Sequence, residues 1–171
     1  MRSGIGFDFH RLAAGRPLVL GGVHIPWERG LLGHSDADAL VHAVCDALLG
    51  AGGLGDIGLH FPDTDPRYRG ISSLRLLESC RGLVAGRGLA VVNVDAVILA
   101  EAPRMGPYRL QMQANIARAL EVAAERVNVK ATTMEACGPV GRGEGIGALA
   151  TVLLCSAGEE PPARDPWAPS R

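Results

Sequence analysis

No long hydrophobic run, no C-x-x-C pair and almost no lysine occur in these 171 residues. The longest apolar stretches, such as Leu89 to Ala100, are broken by Asn93 and Asp95 and are too short to span a bilayer. No basic-then-apolar leader precedes the first strand-like segment, so we expect a cytoplasmic protein without a secretory signal. Cys45, Cys80, Cys137 and Cys155 lie far apart, which reads as reduced thiols serving in packing rather than as ligands. A net charge of -1, with no Lys/Arg cluster on any predicted face, argues against a nucleic-acid partner. Lys130 is the single lysine among 17 basic residues. The Ala, Gly and Arg content fits a GC-rich genome, so Lys130 is either chance or a position that calls for a compact ammonium.

What is present suffices for one domain. A 47% hydrophobic composition over this length supports a single core spanning residues 1–157, followed by a tail, 158–171, whose four prolines suggest disorder. Strand-like segments are expected near residues 2–11 and over 89–100, 127–133 and 145–156, the last apolar on both faces and therefore central. A hairpin turning on Gly21-Gly22 is expected between Pro17 and Pro26. Ser35-Asp36-Ala37-Asp38 has the spacing of a capping box before a helix closed by Gly50. Further helices are expected over 73–87, ended by Gly88, and over roughly 107–124. Residues 51–70 read as an irregular loop and 138–145 as a glycine-rich turn. Strands alternating with helices predict an α/β fold of two layers, with helices on one face of the sheet.

The chemistry gathers at Asp and His residues. Ile5-Gly6-Phe7-Asp8-Phe9-His10 alternates with period two, so Asp8 and His10 share one face, about 6–7 Å apart. His42 lies inside the first helix, with Asp38 and Asp46 four residues to either side as candidate orienters of its ring. Together the three suit zinc or a similar divalent metal and leave one coordination position open. His34 and Ser35, at the expected helix start, are placed for a phosphate, unless Ser35 only caps and His34 faces water. The Asp56, Asp63 and Asp65 loop is either an Asx-capped turn or a polyol-binding loop. Thr132, Thr133 and Glu135 end a strand, where Glu135 is a candidate for a second divalent ion and Thr133 for a phosphate contact. His24 and His60 read as structural or surface residues.

Six segments occur in order: Gly6-Phe7-Asp8-Phe9-His10, Gly33-His34-Ser35-Asp36-Ala37-Asp38, Leu54-Gly55-Asp56-Ile57-Gly58, Phe61-Pro62-Asp63-Thr64-Asp65-Pro66, Asn128-Val129-Lys130-Ala131-Thr132-Thr133 and Gly141-Arg142-Gly143-Glu144-Gly145. In this combination the chain resembles the 2-C-methyl-D-erythritol 2,4-cyclodiphosphate synthase family of non-mevalonate isoprenoid biosynthesis. The resemblance implies a homotrimer of ferredoxin-like α/β subunits with active sites between neighbours. It implies the conversion of 4-diphosphocytidyl-2-C-methyl-D-erythritol 2-phosphate into the cyclodiphosphate plus CMP. By the same resemblance Asp8, His10 and His42 hold zinc, and Glu135 carries Mg²⁺ or Mn²⁺ at the diphosphate. His34 and Thr133 stabilise the transition state. Ser35, Asp56, Ile57, Gly58, Phe61, Asp63, Asp65 and Arg142 contact the substrate, and Ala100, Arg104, Met105 and Thr132 line a cytidine pocket.

Several positions depart from the family's pattern. Phe9 replaces a smaller aliphatic residue, and Arg104 replaces a lysine. Ala136-Cys137-Gly138-Pro139-Val140 stands where Lys-Leu-Gly-Phe-Thr is usual, which removes an aromatic contact at Pro139. Two other readings remain open from the residues alone. One is a zinc-dependent phosphohydrolase with Asp56 as the base; the other is a non-catalytic trimeric module that binds a nucleotide.

Overall fold

The computed structural model describes residues 1–159; the expectation for the Pro-rich tail lies, beyond Glu159, outside the described residues. The chain opens with β1 (Arg2–Ala14), then β2 (Leu18–Leu20), β3 (Val23–Ile25) and β4 (Arg29–Leu31). Helix α1 (Ala39–Gly52), a short α2 (Ile57–His60) and α3 (Ser73–Ala85) follow. β5 (Leu89–Leu99), α4 (Arg109–Leu120), β6 (Val127–Thr132), a short α5 (Gly138–Gly141) and β7 (Gly145–Ser156) complete it. No helix among the described residues is long and apolar enough to cross a membrane.

The main sheet runs in the order β4-β1-β7-β5-β6, so β7 is central, as its two apolar faces predict. All pairs are antiparallel except β5 with β6. That parallel pair needs a crossover, which α4 supplies. The succession around the sheet is therefore β-α-β-α-β-β, not the β-α-β-β-α-β of a ferredoxin-like unit. The two-layer α/β expectation holds; the ferredoxin-like order does not. Leu40, Leu48, Leu77, Met112 and Ile116 from the helices meet Ile98, Ile146 and Leu154 from the sheet in a fully buried core.

β1 inverts the ordinary reading of an alternating strand. Its apolar members Ile5 and Phe7 are 67% and 57% exposed, while Gly6 is buried under α1. A Cβ at Gly4 would lie 2.0 Å from the Ala47 carbonyl oxygen, and one at Gly6 would lie 2.0 Å from that of Ala43. Glycine at both positions lets the helix backbone rest directly on the strand. β1 also runs past Arg11, where β4 pairs with residues 12–14.

Helix boundaries moved where side chains found other partners. The first helix starts at Ala39 behind Asp38, not at Ser35, and closes at Gly53 rather than Gly50. The Asp38 carboxylate accepts from Gly21 N and Gly22 N, at 2.9 and 2.7 Å, as well as from Val41 N at 3.1 Å. It thereby ties the left-handed Gly21-Gly22 hairpin turn to the helix it caps. Burial pushes its pKa up to about 6 against those three donors. α3 ends at Ala85 with Gly86 as its cap, two residues before the expected stop. Residues 51–70 are less irregular than expected, since Asp56 and Asp65 cap α2 and a single 3-10 turn over residues 66–68. α5 likewise occupies part of the glycine-rich turn.

The Gly6 contact yields a test. Gly6→Ala forces Cβ into the α1 backbone, and overpacking of this kind costs about 1–3 kcal/mol. The urea midpoint is expected to fall accordingly; an unchanged midpoint would contradict flush packing of α1 on β1.

Candidate active site

β1 presents Asp8 and His10 on its helix-covered face, and α1 brings His42 over them. Asp8 Oδ2 lies 2.9 Å from His10 Nε2 and 3.0 Å from His42 Nδ1, and the two ring nitrogens are 3.2 Å apart. These distances approach the roughly 3.3 Å edges of a tetrahedral set with bonds of about 2.0–2.1 Å, so the residues fit a zinc-sized cation. The groups around them prepare the donors. His10 Nδ1 donates to the Leu32 carbonyl at 2.8 Å, which leaves Nε2 as a lone pair facing its neighbours. Phe9 N donates to Asp8 Oδ1 at 2.9 Å and fixes the carboxylate. Burial alone would raise Asp8, but the His10 and His42 rings beside it hold it well below the ordinary carboxylate range. Burial would likewise lower His10, yet the Asp8 contact outweighs it and the net shift is upward.

The expected orienters of His42 are turned elsewhere. Asp38 holds the hairpin turn, and Asp46 accepts from Ile57 N at 2.8 Å, anchoring α2 to α1. Burial pushes Asp46 upward.

A cleft of about 470 Å³ opens beside the donors. His34, Ser35, Ile57, Gly58, Phe61 and Asp63 line it together with His10 and His42, as the sequence reading groups them. Tyr68 and Leu76 also line it; Tyr68 packs edge-on to Phe61 with ring centroids 5.4 Å apart. Neither carries a sequence pattern that marks it. Arg16 is a further residue that supports the site. Its guanidinium donates to the carbonyls of Leu31, Gly33 and Ser35, each at 3.2 Å, and pins the segment that holds His34. An isolated arginine in a loop gives no signal for such a role.

Two expectations need correction here, the helix start at Ser35 and the packing of Cys137. His34 and Ser35 do not stand at a helix N-terminus, because α1 begins four residues beyond Ser35 and Asp38 already caps it. His34 Nε2 donates instead to the Asp65 carbonyl at 3.1 Å. The Asp65 carboxylate is held by Arg67, at 2.6 Å to Nη2, and the Asp56 carboxylate by Leu59 N at 2.9 Å; neither is among the groups lining the cleft. Arg142 pairs with Glu144 at 2.6 Å and also stands apart from the cleft. Cys137 is exposed rather than packed, unlike Cys45, Cys80 and Cys155.

The remaining predicted residues form a second group at the ends of β5 and β6. Ala100 and Met105 are buried, Arg104 is exposed, and Ala100 N bonds the Thr132 carbonyl at 3.0 Å. Thr133 Oγ1 donates to Glu135 Oε1 at 2.8 Å, and Met134 N donates to Glu101 Oε2 at 3.2 Å. Glu135 and Ala136 both adopt left-handed backbone, with φ of 50° and 61°. None of this group lines the cleft within one chain. Lys130 lies on the opposite, open face of the sheet, where its ammonium meets Asp95 at 2.5 Å.

A two-layer α/β fold with an Asp/His/His set beside an open cleft defines the class: an enzyme built around a site for a divalent cation. The chain belongs to the YgbB family, whose sequence profile matches residues 1–155. It is 62% identical over 154 residues to the 2-C-methyl-D-erythritol 2,4-cyclodiphosphate synthase of Desulforamulus reducens, covering 90% of this chain and 98% of that protein. A solved structure of a 2C-methyl-D-erythritol-2,4-cyclodiphosphate synthase matches with a TM-score of 0.83 at 44% identity, over 90% of this chain and 100% of that one. A CDP-bound form matches with the same TM-score, at 42% identity and with the same coverage. The bifunctional IspDF of Campylobacter jejuni matches with a TM-score of 0.88 at 42% identity, over 91% of this chain, which spans 42% of that longer protein.

The donor set predicts how metal retention follows pH. His10 binds a cation only when neutral, and its pKa stands above the ordinary 6.5. Metal affinity therefore falls as pH drops through that raised value. In the metal-free protein the sign reverses: the His10–Asp8 pair stabilises the fold below the His10 pKa and this contribution is lost above it. Equilibrium dialysis should show zinc leaving a still-folded protein below neutral pH. Full retention down to about pH 5, well under the usual histidine range, would contradict this assignment.

Proposed function

We propose that the protein converts 4-diphosphocytidyl-2-C-methyl-D-erythritol 2-phosphate into 2-C-methyl-D-erythritol 2,4-cyclodiphosphate and CMP. The observation that carries this reading is the junction of the Asp8–His10–His42 donors with a cleft holding His34, Ser35, Gly58 and Asp63. The 62% identity to a synthase of that name supports it. An oxygen of the 2-phosphate bonds to the β-phosphorus, the bond from that phosphorus to the bridging oxygen breaks, and the bridging oxygen leaves with CMP. Nucleophile and electrophile belong to one molecule, so no side chain forms a covalent bond. Holding the substrate folded back on itself can supply several kcal/mol, on the order of what well-oriented intramolecular reactions gain.

Asp8, His10 and His42 hold zinc or a similar divalent cation, which when bound supplies positive charge against phosphate oxygens. Glu135 holds Mg²⁺ or Mn²⁺ at the diphosphate. His34 and Thr133 stabilise charge on the transferring group, and Ser35, Asp56, Ile57, Gly58, Phe61, Asp63 and Asp65 hold the methylerythritol phosphate end. Ala100, Arg104, Met105 and Thr132 line the cytidine pocket, and Arg142 contacts the substrate from its glycine-rich turn.

We further propose a homotrimer in which the second group of residues faces the cleft of a neighbouring copy. Two observations support it. The 100–135 group lines no part of its own chain's cleft. The open sheet face carries the exposed apolar residues Ile5 and Phe7, with Phe7 in register with Leu149 and Val97. We place the enzyme in the cytoplasm, where its four free cysteines stay reduced.

The phosphohydrolase reading needs Asp56 as a base, whereas its carboxylate caps α2. A product assay separates the alternatives. CMP and the cyclic product are expected, and linear products with free phosphate would overturn the cyclase reading. Tight cytidine binding without turnover would favour a binding module. His42→Ala is expected to lose zinc and CMP release while keeping its circular dichroism spectrum. Co-expression of His42→Ala with Glu135→Ala, each inactive alone, should restore part of the activity. No recovery in mixed oligomers would refute a site shared between copies.

A further inference from the structure

The His42 ring is oriented from a direction that the helix spacing does not indicate. Ser73, the first residue of α3, is fully buried. Its backbone N–H donates to Asp36 Oδ2 at 3.0 Å, and its hydroxyl donates to Asp36 Oδ1 in a short contact. A serine hydroxyl carries one hydrogen. With that hydrogen committed to Asp36, Ser73 Oγ meets the His42 ring only as an acceptor. His42 Nε2 lies 2.8 Å from Oγ, so Nε2 carries the ring hydrogen. Nδ1 is then the lone pair, and it is Nδ1 that stands 3.0 Å from Asp8 Oδ2 and 3.2 Å from His10 Nε2. Ser35 Oγ also approaches Nε2, at 3.1 Å, and accepts from Ala37 N at 3.1 Å. Its own hydrogen stays available to the cleft.

We infer that Asp36 and Ser73 are positioning residues for the cation: a carboxylate–serine–histidine chain that fixes the tautomer and ring angle of His42. The inference rests on reading Asp8, His10 and His42 as the metal site. Metal-bound histidines commonly donate their other N–H to a carboxylate or carbonyl, and removing that partner weakens metal binding about 10–100-fold. Here a buried hydroxyl stands between ring and carboxylate. The arrangement parallels His10, whose Nδ1 is committed to the Leu32 carbonyl at 2.8 Å. One histidine is thus set by backbone and the other by a side-chain pair, and both present a lone pair to Asp8. Backbone bonds beside the pair tie the segment bearing His34 to the residues leading into α3: Asp36 N donates to the Ile71 carbonyl at 3.0 Å, and Gly70 N donates to that of His34 at 2.8 Å.

Ser73→Ala removes the hydroxyl and keeps the backbone bond to Asp36. Zinc affinity, measured by competition with a chromophoric chelator, is expected to fall about 10–100-fold. The urea midpoint of the metal-free variant is expected to fall as well, because Asp36 Oδ1 loses a donor, so the zinc affinity is the deciding readout. Equal zinc affinity in variant and parent would overturn the inference, as would a loss of metal-free stability without a loss of affinity. Nitrogen NMR of the metal-free parent gives a second measurement that needs no variant. A proton on His42 Nε2 is expected, and an Nε2 without a proton would overturn the inference. Failure of the parent itself to bind zinc would refute the metal reading instead, and the tautomer would still decide the role of Ser73.

Discussion

The closeness of α1 to β1 governs the rest of the molecule. Gly4 meets Ala47 and Ala51, and Gly6 meets Ala43 and Ala47, at distances that exclude any side chain on the strand. Two residues along a strand advance roughly 6.6 Å, and one turn of helix rises 5.4 Å. Strand and helix therefore step past each other in near register, two residues against four. The next strand position on that face is Asp8, and one helical turn toward the N-terminus from Asp46, which also touches Gly6, stands His42. Asp8 and His42 meet because the two elements are already in backbone contact. A bulkier residue at position 6 would push the helix out and separate a ligand pair without touching either ligand.

That geometry explains what was legible in the sequence and what was not. The period-two pattern of residues 5–10 placed Asp8 and His10 on one face correctly, because strand alternation does not depend on what covers the strand. The same pattern does not show which face is covered: Ile5 and Phe7 face away from the helices while glycine fills the covered side. Asp38 and Asp46 at i±4 from His42 were reasonable orienters by helix spacing, but both found partners outside the helix: Asp38 the Gly21-Gly22 turn, Asp46 the start of α2. Ser73 and Arg16 act across 31 and 15–19 residues of chain, and no local pattern encodes such distances. The ferredoxin-like order failed for a related reason. Element types follow local periodicity, whereas strand order depends on which edges α4 and β7 bring together.

Four carboxylates gather around the His42 turn of α1, and each is held by partners of its own. Asp8 is held by two histidines, Asp36 by Ser73, Asp38 by three backbone N–H groups and Asp46 by one. This division keeps the histidines for Asp8 alone. If Asp36 or Asp38 reached His42 directly, the ring could turn toward it and Nδ1 would leave the donor set. Interposing Ser73 and capping the helix with Asp38 separates structural charge from the charge that faces the cleft.

On the proposed reaction, one chain encloses only half of what positioning requires. Intramolecular attack gains its advantage when both ends of a flexible substrate are fixed. The cleft by the donors offers a wall for the sugar-phosphate end, while Thr133, Glu135 and Arg104 stand at the ends of β5 and β6 with their polar groups exposed. Glu135 and Ala136 adopt the sparsely populated left-handed region in a turn closed by Cys137 N on the Met134 carbonyl at 2.8 Å, and both are exposed. Such a turn has a physical rationale if it presents Glu135 and Thr133 outward to a surface beyond the chain. The open, apolar face bearing Ile5 and Phe7 adds a driving force for bringing that surface up. Stability and catalysis would then share one cause: the contact that covers the exposed face of the sheet would also close the cleft.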